Sequence, residues 1–191
     1  MSRRFFLAGA VFIIAILASA CTQAPPVLAP ATAPPTTFPT PTSAGSFKLV
    51  SNAFSDGGAI PKKYSCDGES TSPPLAWSGA PASAKSFALI MDDPDAPSST
   101  FTHWVAFDIA SARNEIVEGV QSAGKDGKNG RGQTGYTGPC PPSGTHRYFF
   151  TLYALDVASL GLSEGAARAE VERAMTGHIL AKTQLMGRYS R

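Results

Sequence analysis

Arg147-Tyr148-Phe149-Phe150-Thr151-Leu152-Tyr153-Ala154-Leu155 (RYFFTLYAL) decides how this chain folds. Successive side chains of a strand point to opposite faces. Tyr148, Phe150 and Leu152 then fall on one face, and Phe149, Tyr153 and Leu155 on the other. Apolar groups on both faces predict a central strand, covered above and below. Outward from it lie two more apolar runs, Ser86–Met91 (SFALIM) and Trp104–Ile109 (WVAFDI), with proline- and glycine-rich turns between. Several short strands punctuated in this way predict a β-sandwich.

Downstream the pattern becomes helical. Ser163 is placed to cap a helix, and Glu164 suits its positive first turn. Ala167, Val171, Ala174 and Met175 recur on one face, and Gly177 can end the helix. Ile179–Met186 reads as a second short helix. Both are expected to pack on the sandwich, with His178 a structural residue there. Trp77 and Trp104 read as packing, Trp104 also as a candidate pocket wall.

Upstream, residues 1–20 read as an export signal. Arg3 and Arg4 precede an uncharged apolar run, Phe5–Ala20. The run is shorter than the roughly 20 residues of a spanning helix, and it ends in small residues. Leu17-Ala18-Ser19-Ala20-Cys21 resembles the lipobox of bacterial lipoproteins, with Ala18 where leucine is usual. Cys21 would then carry lipid and make the membrane a partner. Ala18-Ser19-Ala20 also fits ordinary signal peptidase, which leaves a secreted protein as the alternative. Residues 21–45 are mostly proline, threonine, alanine and serine, a semi-rigid linker without a core. The folded domain is residues 46–191.

Three cysteines are an odd number. Lipidating Cys21 leaves Cys66 and Cys140 as a candidate pair in a compartment where disulfides persist. Two separate buried thiols are the alternative. The formal net charge is +2, and losing Arg3 and Arg4 brings it to zero. No nucleic-acid partner is expected from such a balance.

Two clusters carry the chemistry. The first is Asp92-Asp93-Pro94-Asp95-Ala96-Pro97, followed by Phe101-Thr102-His103-Trp104. It places a rigid acidic rim at a strand end with His103 opening the next strand. A neighbouring carboxylate would raise that histidine's pKa. The second runs from Gly135 through Pro139-Cys140-Pro141-Pro142 to His146-Arg147-Tyr148. Its glycines permit close backbone approach to a ligand, and its prolines hold the loop in place. His146 and Tyr148, two apart, face the same way. Between the clusters, Gly119–Gly138 is glycine-rich and carries Lys125, Lys128 and Arg131. It lacks the P-loop pattern, and Lys128 spoils a calcium loop. A mobile surface loop is the plainer reading.

"DDPDAP…HWV" followed by "GPCPPSGTHRYFF" resembles the phosphatidylethanolamine-binding protein family, in its bacterial Raf-kinase-inhibitor-like branch. "YSCDGESTSPPLAW" (64–77) and "GHIL" (177–180) are similar to the same branch, so the likeness spans the whole folded part. It implies a mainly β sandwich of two antiparallel sheets with peripheral helices. It also implies a small pocket for phosphate-type anions and phosphoethanolamine headgroups. Asp93, Asp95, His103, Pro141, His146 and Tyr148 would line that pocket, with Gly138 near the anion.

Carboxylates repel phosphate, so the aspartates are expected to orient the histidines or to meet a ligand's ammonium end. A zwitterionic headgroup satisfies both signs. Three functions follow. A ligand-binding or regulatory module fits a site with receptors for charge and no evident nucleophile. An inhibitor of a protease or kinase, acting through a protein partner, is the second. A metal-free hydrolase using the Asp/His cluster is the third, without a G-x-S-x-G or H-E-x-x-H motif behind it. Two His and two Asp suit zinc, but proline-rich loops adjust poorly to coordination geometry. No metal or cofactor is expected.

Overall fold

The strands expected around Phe87, Val105 and Phe150 all form, each paired antiparallel with its neighbours. The structure is a computed structural model and describes residues 46–120 and 123–191. The expected export signal, Cys21 and the linker lie outside these residues. In chain order the elements are β1 (Lys48–Val50), β2 (Leu75–Ser78), β3 (Ser86–Asp93), β4 (Phe101–Ala110), β5 (Glu115–Ile116), β6 (Lys125–Asp126), β7 (Thr145–Leu155), α1 (Arg168–Met175) and β8 (Ile179–Ser190). One sheet has the order β6-β4-β3-β7-β8 and the other β1-β2-β5. The domain is therefore a mainly β sandwich of two antiparallel sheets with one small helix.

The larger sheet is covered differently on its two faces. Leu89, Met91, Trp104, Phe150 and Leu152 pack toward Leu49, Leu75, Trp77 and Ile116 of the smaller sheet. On the reverse, Ile90, Val105, Phe107 and Leu155 pack under Val171 and Met175 of α1. Each large apolar side chain buried in this way contributes about 1.5–3 kcal/mol. β3 and β4 are thus covered on both sides. β7 is internal but second from the edge, and its Phe149, Thr151 and Tyr153 are only half-buried. A helix of two turns is too short to reach across all the strands.

Two irregularities in β4 matter more than any of its regular pairs. Met91 faces Trp104 and Asp92 faces Thr102, so His103 is an extra residue with no opposite number. Strict alternation would place His103 with Val105 and Phe107, beneath α1. The bulge re-aims it to the other face. Farther along, Leu89 faces Ala106 and Phe87 faces Ile109, which inserts another residue. Asp108 there has φ 53°, in the left-handed region. This second bulge lets Ala106 and Ile109 both reach the inter-sheet core.

The C-terminal expectations need correction. The helix begins at Arg168, not after Ser163. Gly165 adopts φ 78°, which breaks any helix there, and Glu164 instead accepts the Asp126 N–H at 3.2 Å. Glu170 Oε2 accepts the Ala167 N–H at 2.7 Å and closes the first turn. Ile179–Met186 is no helix but the first part of β8, laddered to β7 from Leu155↔Ile179 to Thr145↔Ser190. Pairing with a formed neighbour outweighs the local preference of the segment. Gly187 fits beneath Ile60 and Phe54, where a Cβ would lie 2.5 Å from Ile60 Cγ1. His178 sits in the turn between α1 and β8 and not on the helix.

Candidate functional site

β3 ends at Asp93 because Pro94 follows and cannot donate to the ladder. Asp93 is 3 % exposed, and both its oxygens are engaged. Oδ1 accepts the Asp95 N–H at 2.9 Å, which closes a turn over the strand end. Oδ2 meets His146 Nδ1 at 2.8 Å. His146 comes from the start of β7 and is itself buried.

His103 reaches the same space from β4 because of its bulge. Its Nδ1 lies 2.8 Å from the Thr137 carbonyl, while the Thr137 N–H donates to the His103 carbonyl at 2.9 Å. A carbonyl only accepts, so Nδ1 carries the proton, and Nε2 of the neutral ring is an acceptor. The ring stands edge-on to Tyr148 at 5.1 Å and to Phe101 at 4.8 Å. Burial pushes the His103 pKa below the usual histidine range, and the Arg131 charge adds to this. The backbone at Thr137 and Gly138 and the Asp93 charge pull the other way without prevailing. The raised pKa expected from a carboxylate neighbour is therefore reversed by desolvation.

Tyr148 lies directly behind this group and is fully buried. Its hydroxyl makes no hydrogen bond of good geometry, although the Asp93 carboxylate and the Cys140 backbone lie close. Burial and the Asp93 charge push its pKa up. Asp95 takes a different course. It accepts Arg147 Nε at 2.9 Å and Nη2 at 2.7 Å, together with the Arg147 backbone N–H at 2.9 Å. This fork holds the Asp95 carboxyl down at about 2.

The remaining wall is the loop from Gly135 to Pro142. Cys66 and Cys140 are joined by a disulfide, and the Cys66 N–H donates to the Pro139 carbonyl at 3.0 Å. Gly138 is pressed against the backbone at Tyr64, where a Cβ would lie 2.7 Å from the carbonyl oxygen. Its N–H donates to Ser70 Oγ at 3.0 Å. The loop is thereby fixed before any ligand arrives.

These pieces enclose a cavity of about 230 Å³. Buried Asp93, His103 and His146 make its floor, and Phe101, Cys140 and Pro141 its walls. Exposed Pro97, Arg131 and Pro142 form the rim. Of the residues expected at the site, Asp93, His103, Pro141 and His146 come together on its surface. Tyr148 backs the floor, Asp95 is tied to Arg147, and Gly138 faces Ser70. Trp104 is fully buried in the inter-sheet core and is not a wall. Among the described residues, no group of three or more His, Cys, Asp or Glu is disposed to hold a metal ion.

Residues 50–190 match the family profile described as phosphatidylethanolamine-binding protein. The chain belongs to that family. A UPF0098 protein of Methanothermobacter thermautotrophicus is 52% identical over 149 residues, covering 75% of this chain and 98% of the relative. One from Aquifex aeolicus is 49% identical over 151 residues, covering 75% and 88%. Among solved structures, the chain is similar to CT736, a phosphatidylethanolamine-binding protein homolog of Chlamydia trachomatis. The TM-score is 0.73 at 43% identity, over 76% of this chain and 97% of that one. E. coli YbcL, described as a new member of the mammalian PEBP family, gives 0.72 at 28% identity, over 77% and 99%.

Arg131 is the pocket residue that sequence reasoning passed over. The glycine-rich segment around it reads as a mobile surface loop, yet it is stitched to β4. The Gly127 N–H donates to the Val105 carbonyl at 2.8 Å and the Gly130 N–H to the Thr102 carbonyl at 2.7 Å. The one signal available was an arginine between glycines close in sequence to the Gly135–Pro142 loop.

Proposed function

We propose that this family member is a binding module for a small phosphate- or phosphoethanolamine-type group, exported and held at the cell envelope by lipid on Cys21. One observation carries the binding reading: a buried carboxylate and two differently committed imidazoles meet on the floor of a rigid, headgroup-sized cavity. The volume falls below the roughly 300–1,000 Å³ of pockets for drug-sized ligands, which favours a small polar head. His103 Nε2 and Asp93 offer acceptors to an ammonium group. His146 Nδ1 is taken by Asp93, which leaves the ring's other nitrogen to meet the anionic end. A zwitterion uses both. The apolar run Phe5–Ala20 just before Cys21 and the Cys66–Cys140 disulfide support export, since disulfides persist in oxidising compartments.

The test is calorimetric titration of the full chain with O-phosphoethanolamine, phosphate and ethanolamine, repeated with His146→Ala. Saturable binding of O-phosphoethanolamine, lost in the variant, is the expected outcome. Binding that His146→Ala leaves intact would remove this pocket from consideration.

A further inference from the structure

Arg131 is an arginine without an acidic partner beside a site that already holds a buried carboxylate. Among the described residues it forms no salt bridge. Three other arginines of this end of the domain are taken: Arg147 by Asp95, Arg168 by Asp92 and Glu172, and Arg191 by Asp67. Its backbone is not free to swing away. The Arg131 N–H donates to Asn129 Oδ1 at 2.9 Å, and Asn129 is itself buried with its amide on the Gly135 carbonyl at 3.0 Å. Gly130 lies against the Phe101 ring, where a Cβ would be 2.6 Å from Cε2. The loop therefore holds Arg131 at the cavity's rim.

The floor and the rim differ in sign. The floor holds the Asp93 carboxylate, already paired with His146, beside a His103 ring whose protonation the surroundings resist. The rim holds a guanidinium that stays charged at any ordinary pH. A ligand with a cationic and an anionic end is thus drawn in with its cation downward and its anion at Arg131.

We propose that Arg131 is a specificity-determining residue that selects a terminal phosphomonoester on a short amine arm over the phosphodiester of a lipid-attached headgroup. This rests on the binding function proposed above and names the ligand class. A monoester carries about −1.5 to −2 charge at neutral pH and three terminal oxygens. A diester carries a single charge and two terminal oxygens. A guanidinium fork binds two oxygens side by side, so the added charge and the freedom to rotate favour the monoester. The diester must also carry its second substituent out past the rim formed by Pro97, Arg131 and Pro142.

The experiment measures affinities of the full chain for O-phosphoethanolamine, glycerophosphoethanolamine and inorganic phosphate, with Arg131→Gln and Arg131→Lys in parallel. Arg131 is exposed, so both variants should fold, and an unchanged Tm checks that they do. The wild type is expected to prefer the monoester to the diester. Arg131→Gln weakens O-phosphoethanolamine roughly ten- to hundredfold, with a similar loss for phosphate and a much smaller one for the diester. Arg131→Lys falls between, since it keeps the charge and loses the fork. Equal losses for both esters, unaltered monoester binding, or a wild type that prefers the diester would overturn the inference and leave the pocket's function standing. A wild type that binds none of the three would overturn both.

Discussion

The domain contains the same contact twice. His146 Nδ1 meets Asp93 Oδ2 at 2.8 Å, and His178 Nδ1 meets Asp156 Oδ1 at 2.8 Å. The first pair has side chains 10% and 5% exposed, the second 44% and 45%. The His178–Asp156 pair also shares a backbone bond, Asp156 N–H to the His178 carbonyl at 3.0 Å, and ties the end of α1 to the end of β7. It is a clasp in water. The His146–Asp93 pair has a fixed loop over it, a second histidine beside it and a cavity in front. What distinguishes the two is the surroundings, since the contact is identical.

Substitution should separate them. Asp93→Ala leaves the Asp95 N–H and the buried His146 ring without their partner, and a loss of about 3–5 kcal/mol in urea denaturation is expected. Asp156→Ala, open to solvent, should lose no more than about 1 kcal/mol. Similar losses at the two positions would break the comparison.

Asp126 sharpens it, as a buried carboxylate with no histidine. Its Oδ1 accepts Trp104 Nε1–H at 3.1 Å, and Glu164 lies nearby. Burial, with the Glu164 charge adding, pushes its pKa up to about 6. A carboxyl whose folded pKa exceeds its unfolded one opposes folding as pH rises from about 4 to about 6, and the penalty stays above that. Asp126→Asn should therefore stabilise the protein at pH 7 by on the order of 1–2 kcal/mol, allowing for solvent access. The gain should vanish below about pH 4, and a pH series of melting temperatures checks the sign.

The smallest effect is expected at Asp95. Its pKa is depressed to about 2, so its contribution is present above the unfolded value near 4 and fades as pH falls toward 2. The Asp95–Arg147 pair is largely exposed, and Asp95→Asn should lose less than about 1 kcal/mol at pH 7. Acid titration of the variant should show a correspondingly flatter limb.

The same contrast between local and distant causes explains what could be read in advance. Runs such as SFALIM and RYFFTLYAL carry their strand character in their own residues. That Asp93, His103 and His146 lie close together could be read because each sits beside a proline-rich turn at a strand end. The bulge at His103 was not, because a bulge belongs to the register between β3 and β4 and leaves no mark on either strand alone. Ile179–Met186 reads as helix because its strand form depends on the ladder to β7. Gly165 broke the expected helix start through a backbone conformation that spacing does not reveal. Arg131 does not stand out in the sequence because its place at the cavity rim, without an acidic partner among the described residues, is visible only once its neighbours are placed.

The central claim is that the buried histidine end is a ligand pocket and the exposed one is not. The chain has three histidines, so ring NMR signals of the full chain can be followed one by one as O-phosphoethanolamine is added. The account predicts saturable shifts at His103 and His146 with a common midpoint, while His178 stays where it was. The His103 titration, depressed in the free protein, should stay depressed when the ligand is bound, because an ammonium end on Nε2 opposes its protonation. Shifts at His178 equal to those at the other two, or a His103 and His146 that stay silent throughout, would contradict it.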